Sequence, residues 1–204
     1  MNKSEKIEII KQNIEALHEI KIRRSKIDPD DLNVIPLAIG QNLVLFQDLY
    51  DFDLDGYVII RIKDITSVII TKSQQFSQFI LKEEGILNQI RKPSINSVDN
   101  WENVLTELSN FGKNIIVECE GMETSKFFIG KITAIDKKSL CLLYFNGAGE
   151  WDEEPTEILL KDITSISFDS RYINVISKYL KPYKKQEWTA HCQVDKWNNK
   201  NLFN

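Results

Sequence analysis

Apolar and polar positions alternate in the same phase in two stretches of this chain. In DGYVIIRIKDITSVII, residues 55–70, the apolar Ile60, Ile62, Val68 and Ile70 fall two apart on either side of a central run. In EPTEILLKDITSISF, residues 154–168, Ile158, Leu160, Ile166 and Phe168 do the same. Successive strand side chains point to opposite faces, so this spacing predicts strands with one apolar face. The central run Lys63-Asp64-Ile65-Thr66-Ser67 returns unchanged as Lys161-Asp162-Ile163-Thr164-Ser165, a spacing of 98 positions between Lys63 and Lys161. Shared sequence on top of shared phase marks an internal duplication.

The echo extends upstream. Leu43-Val44-Leu45-Phe46 matches Leu140-Cys141-Leu142-Leu143, and an acidic loop follows each, QDLYDFDLDG and NGAGEWDEE. Further strands are expected over 32–39 and 127–135, and before them in IKIRRSKI, from Ile20, and NIIVECEG, from Asn114. An amphipathic helix opens each copy. Residues 5–17 carry Ile7, Ile9, Ile10, Ile14 and Leu17 near helical spacing,. Residues 100–111 carry Trp101, Val104, Leu105, Leu108 and Phe111, with Asp99 as the expected N-cap,. Closing helices are expected near 74–87 and 170–180.

These patterns predict an α+β protein of two tandem copies, each a helix plus a five-stranded small β-barrel followed by a helix. The units span 1–92 and 93–183, with 184–204 a C-terminal tail. The K-D-I-T segment is too short for a hairpin loop. It predicts a 3₁₀-like turn in which Asp64 or Asp162 accepts backbone N–H groups. Ile65 and Ile163 should plug the barrel ends, and Ser67 and Ser165, out of phase with Val68 and Ile166, should face outward.

A front helix, five short strands and a short turn between strands four and five resemble the Sm-like variety of SH3-like small barrel. The strings GKITAIDKKSLCLLYF and ILLKDITSISF carry the likeness over residues 100–170, and the repeat extends it to 5–72. That family holds RNA with an Asp-x-apolar-x-Asn loop and an Arg-Gly or Lys-Gly turn. Ile39-Gly40-Gln41-Asn42, Asp136-Lys137-Lys138-Ser139, Lys63-Asp64 and Lys161-Asp162 stand there instead, so the resemblance implies the fold without the RNA-holding residues. The chain is also similar to uncharacterised bacterial proteins with a Leu-Asp-Gly-Tyr strand before a charged turn, here Leu54-Asp55-Gly56-Tyr57.

Composition narrows the chemistry. The 204 residues are 42% hydrophobic and 27% charged, as in folded globular proteins,. No apolar run approaches the ~18–20 residues of a membrane span, and the first residues lack the apolar core of a signal peptide. A cytoplasmic location without membrane partners is the expectation. Three cysteines without CxxC spacing agree with it, Cys119 and Cys141 lying in strand-like runs where a thiol behaves as a small hydrophobe,. A net charge of −4 weighs against nucleic acid as a partner,.

Site chemistry is sparse. Asp51, Asp53 and Asp55, with Gly56, imitate the start of a calcium loop, but the twelfth position is Ile62 rather than Glu, which favours a solvated acidic turn,. Two histidines, His18 and His191, leave the His191-Cys192 pair short of a metal set,. Phosphate-loop, zinc-protease and nucleophile-elbow motifs are absent. No cofactor, metal or catalytic residue is expected. Candidate partner-binding residues are Arg23, Arg24 and Lys26, the acidic Asp51, Asp53 and Asp55, and Lys181, Lys184 and Lys185 among interleaved tyrosines,.

Exposed sheet edges tend to be paired or covered. The preferred expectation is therefore a non-enzymatic binding or assembly module with a protein partner or further copies of itself. One alternative is a divergent Sm-like RNA-binding protein using the two basic clusters, with strongly salt-dependent affinity. Another is an immunity or antitoxin-type inhibitor whose acidic face mimics nucleic acid.

Overall fold

The computed structural model describes residues 2–121 and 124–183. The expected tail, 184–204, lies outside the described residues. In the first half, helix α1 (Lys3–Ala16) starts at a capping box of Asn2 and Glu5,. Strands β1 (Ile20–Arg23), β2 (Asp31–Ile39), β3 (Leu43–Tyr50) and β4 (Asp53–Arg61) follow, then a 3₁₀ turn at Ile62–Asp64, β5 (Ser67–Ile69) and α2 (Lys72–Glu83). The second half holds α3 (Trp101–Phe111), β6 (Asn114–Cys119), β7 (Lys126–Ile135), β8 (Ser139–Tyr144), β9 (Thr156–Leu159), β10 (Ser165–Phe168) and α4 (Arg171–Ile176). Asn100, not Asp99, caps α3, its side chain accepting from the Asn103 N–H.

The strands form one open antiparallel sheet in the order β5-β1-β2-β3-β4-β10-β6-β7-β8-β9. This overturns the expectation of two closed five-stranded barrels. Closure would require β4 to pair with β5 of its own half. Instead β10 occupies the free side of β4, with Ser165 opposite Ile60 and Phe168 opposite Tyr57. The other side of β10 pairs with β6, Ser165 lying opposite Glu118. Period two fixes which face of a strand is apolar but not which edge it meets. The two halves nevertheless share a strand order, β5-β1-β2-β3-β4 beside β10-β6-β7-β8-β9. Bulges fall at matching places, between Pro36 and Ala38 in β2 and between Ile132 and Ala134 in β7. Such irregularities bend and twist the long strands locally.

Burial follows this topology. One core lies under α1 and gathers Ile10, Ile20, Phe46, Ile60 and Ile65. A larger one lies under α3 and combines Ile35, Leu45 and Ile59 of the first half with Val117, Leu142 and Ile166 of the second. Ile59 and Ile60 are adjacent, wholly buried and members of different cores, so β4 is covered on both faces.

The repeated turn is held by its threonine rather than its aspartate. The Thr66 N–H donates to the Arg23 carbonyl at 2.8 Å, and the Thr164 N–H to that of Glu118 at 2.8 Å. Each threonine hydroxyl donates to the same carbonyl, at 2.9 Å in both halves. Asp64 instead accepts from the Arg61 guanidinium. Ser165 is 1% exposed and donates to Glu118, so it does not face outward. Its strand is flanked on both sides, whereas the equivalent β5 is an edge and Ser67 is half-buried.

Gly56 marks a tight approach. Its φ is +77°, and a Cβ there would lie 2.4 Å from the Ser170 nitrogen, where β4 meets the start of α4,.

Thermal melts check these placements. Ile65→Asp and Ile163→Asp each bury an unpaired charge, at a cost of several kcal/mol, and Ser165→Lys forces a long side chain into a filled site beside Glu118; all three should lower the melting temperature sharply,. Ser67→Lys should cost about 0.5 kcal/mol or less. Wild-type melting of Ser165→Lys would contradict the β4–β10–β6 arrangement.

Candidate functional site

The first basic cluster is largely committed to internal pairs. Arg23 grips Asp31 across the β1–β2 pair, with Nε–Oδ1 at 2.8 Å and Nη2–Oδ2 at 2.9 Å. Arg24 is buried. It donates to both Glu120 carboxylate oxygens, at 2.5 and 2.8 Å, and to Asp28 at 2.8 Å. Lys26 is exposed in the following turn. Lys181, also exposed, pairs with Glu150 at 2.6 Å. Lys184 and Lys185 lie outside the described residues, as do His191 and Cys192.

The acidic candidates form a turn and a brace. Asp51 and Phe52 both have positive φ, 47° and 64°, and make the two-residue hairpin between β3 and β4,. The Asp53 carboxylate accepts its neighbour Leu54's N–H at 2.8 Å, and Asp55 accepts the Arg171 N–H at 2.7 Å at the start of α4. No group of three or more His, Cys, Asp or Glu among the described residues could hold a metal. Cys119 is free and buried, and burial pushes its thiol up to about 11, away from thiolate chemistry,.

Two open edges are the first surface the fold offers. Among the described residues, β5 pairs only with β1 and β9 only with β8. Ile70 just beyond β5 is 44% exposed, and Leu159 on β9 is 39% exposed.

The second surface is a cleft of about 260 Å³ where the halves meet. Leu43, Ile62, Trp101 and Leu160 supply its apolar lining, and Lys3, Arg61, Lys63 and Lys161 its cations. Asn42 and Asn100 complete the wall. Arg61 Nη1 donates to the Lys161 carbonyl at 2.9 Å, tying one K-D-I-T turn to the other. The Trp101 indole N–H donates to the Ile163 carbonyl at 3.2 Å, which fixes α3 over the second turn. The sequence signal for this cleft was the repeat itself. Lys63 and Lys161 are the same residue of the two copies, yet their convergence depends on the β4–β10 pairing.

No helix among the described residues is long and apolar enough to cross a membrane. Comparison with protein-family models, curated proteins and solved structures finds no match to this chain.

Two measurements probe the charges. Burial, with Asp55's charge adding, pushes the Asp48 carboxyl up to about 6, although the Leu49 N–H opposes the shift. A carboxyl with a raised folded pKa binds protons more tightly when folded. Its contribution is present in acid and is lost as pH rises through that value. Asp48→Asn should therefore raise the melting temperature above pH 7 and give no gain near pH 4. Equal gains at both pH values would contradict the assignment. Arg24→Ala should cost about 3 kcal/mol in urea unfolding by stranding Glu120, while Arg24→Met with Glu120→Leu should recover most of it.

Proposed function

We propose that this chain is a non-enzymatic assembly module that pairs edge to edge with further copies of itself. The observation that supports this reading is the relation between the inner junction and the outer edges. Inside the chain, β4 pairs with β10. By the repeat, the counterpart of β4 is β9 and the counterpart of β10 is β5, and among the described residues these are the two strands left with a free side. The edges of one chain thus present the two halves of a junction the chain already makes internally.

Transferring the internal register gives a specific pairing. Ser165 opposite Ile60 becomes Ser67 opposite Ile158 of a second copy, and Ile166 opposite Ile59 becomes Val68 opposite Glu157. Backbone N–H and C=O groups on both edges would gain partners, as exposed edges favour. The contact is head-to-tail, so it continues into a ring or a filament rather than stopping at a two-fold dimer. The basic-cluster route to RNA loses support, since Arg23 and Arg24 are already engaged by carboxylates.

Light scattering over a concentration series tests the proposal. The wild-type chain should form multiples of the single-chain mass. Leu159→Lys, with a charge on the β9 edge, should shift the population to single chains without lowering the melting temperature. A wild type that stays single at every concentration would overturn the reading.

A further inference from the structure

We propose that the cleft between the two K-D-I-T turns binds a small organic phosphate with a flat apolar body. The first support is its charge. Lys3, Lys63 and Lys161 line it, and among the described residues none of them is ion-paired with a carboxylate. Among the described residues no acidic one lines the cleft, although the chain as a whole carries a charge of −4. Three uncommitted ammonium groups from three segments, α1 and the two turns, give a local field opposite to the molecule's net charge.

The aspartates strengthen this asymmetry. Each lysine of the repeat is followed by an aspartate, Asp64 or Asp162, but only the lysines reach the cleft. Asp64 turns to Arg61, and that guanidinium is further occupied by the Lys161 carbonyl. Arg61 therefore acts as a strut between the turns, leaving the three lysines to meet an anion. A phosphomonoester offers several acceptor oxygens to such point charges.

The second support is the apolar lining. Leu160 is partly buried and offers the cleft its accessible apolar contact, while Leu43, Ile62 and Trp101, 1%, 1% and 7% exposed, form a closed floor behind it. A bare phosphate would leave this contact unused, whereas a ring carried on the phosphate would lie over it. Asn42 stands at the wall for a polar group on that ring, while the Asn100 side chain beside it is engaged in capping α3. A volume of about 260 Å³ lies just below the usual range for drug-sized ligands, which limits the occupant to one small ring and one charged group,. The site does not depend on edge assembly, because every lining residue belongs to one chain.

Calorimetric titration of the full chain with phenyl phosphate and with inorganic phosphate tests the proposal. Phenyl phosphate should bind saturably at one equivalent per chain, at least about tenfold more tightly than inorganic phosphate, and more weakly as salt rises. Lys63→Gln with Lys161→Gln should weaken binding at least about tenfold while melting like wild type, since both side chains are exposed,. Lys3→Gln, on a separate element, should act in the same direction. Lys178→Gln, beyond α4 where Ser177 bonds Asn114 at the start of β6, should bind as wild type. Absence of saturable binding, equal affinity for the two probes, or equal losses in Lys178→Gln would each overturn the assignment.

Discussion

The pairing of β4 with β10 is the constraint on which the rest of the molecule depends. It takes the free side of β4 and gives β10 neighbours on both sides, so two five-stranded halves become one sheet. The same register sets several local events. It brings Gly56 against Ser170, where a side chain would collide with the backbone. It sets Arg61 beside Lys161, so that the two copies of one turn share a wall. It also puts Ile59 into a core with Ile166 while Ile60 serves the core under α1. Slipping β10 by one residue would reverse which of its side chains meet which core, and the whole junction resists that slip.

Much of the local structure was legible in the sequence. The phase of Ile60 and Ile62, the burial of Ile65 and Ile163, the short turn after β4 and the opening helices follow from periodicity and from the repeat. What escaped is what depends on partners distant in sequence. Ser165 looked outward because it alternates with Ile166, but alternation predicts a solvated face only when that face is left uncovered,. Arg24 looked like part of a basic patch because its neighbours are basic. Its partner Glu120 lies in the other half of the chain, so composition could not reveal the pair. The aspartate of the repeated turn was given the backbone role that the β-branched threonine takes, with N–H and hydroxyl reaching one carbonyl.

The cleft shows the same division between local and distant information. Each K-D-I-T run, taken alone, is a turn, and its lysine is an ordinary solvated cation. Placing the two lysines on one wall requires the sheet to bring the turn after β4 next to the turn after β9. Duplication thus allows a residue without evident chemistry in one copy to form a charged pair of like residues across two. Each turn is fixed independently by its threonine, so the two exposed lysines share the cleft without needing to touch.

The two copies have also diverged where they meet. Ser25 N–H donates to the Thr66 hydroxyl as Glu120 N–H donates to that of Thr164, so Ser25 and Glu120 occupy corresponding places. Arg24 and Cys119, which precede them, correspond in turn. The inner junction therefore carries a buried Arg24–Glu120 pair, whereas the corresponding residues are Cys119, a thiol buried in the core, and Ser25, an exposed hydroxyl, which form no ion pair. Removing a charged pair in favour of a thiol and a hydroxyl avoids the desolvation that ions would suffer on each association. It also removes the directional grip that makes the inner junction permanent. A contact between chains built on the same strand geometry would rest on backbone hydrogen bonds and on Ile70 and Leu159. Under the proposed edge pairing, such a contact would be weaker than the inner one and reversible with concentration.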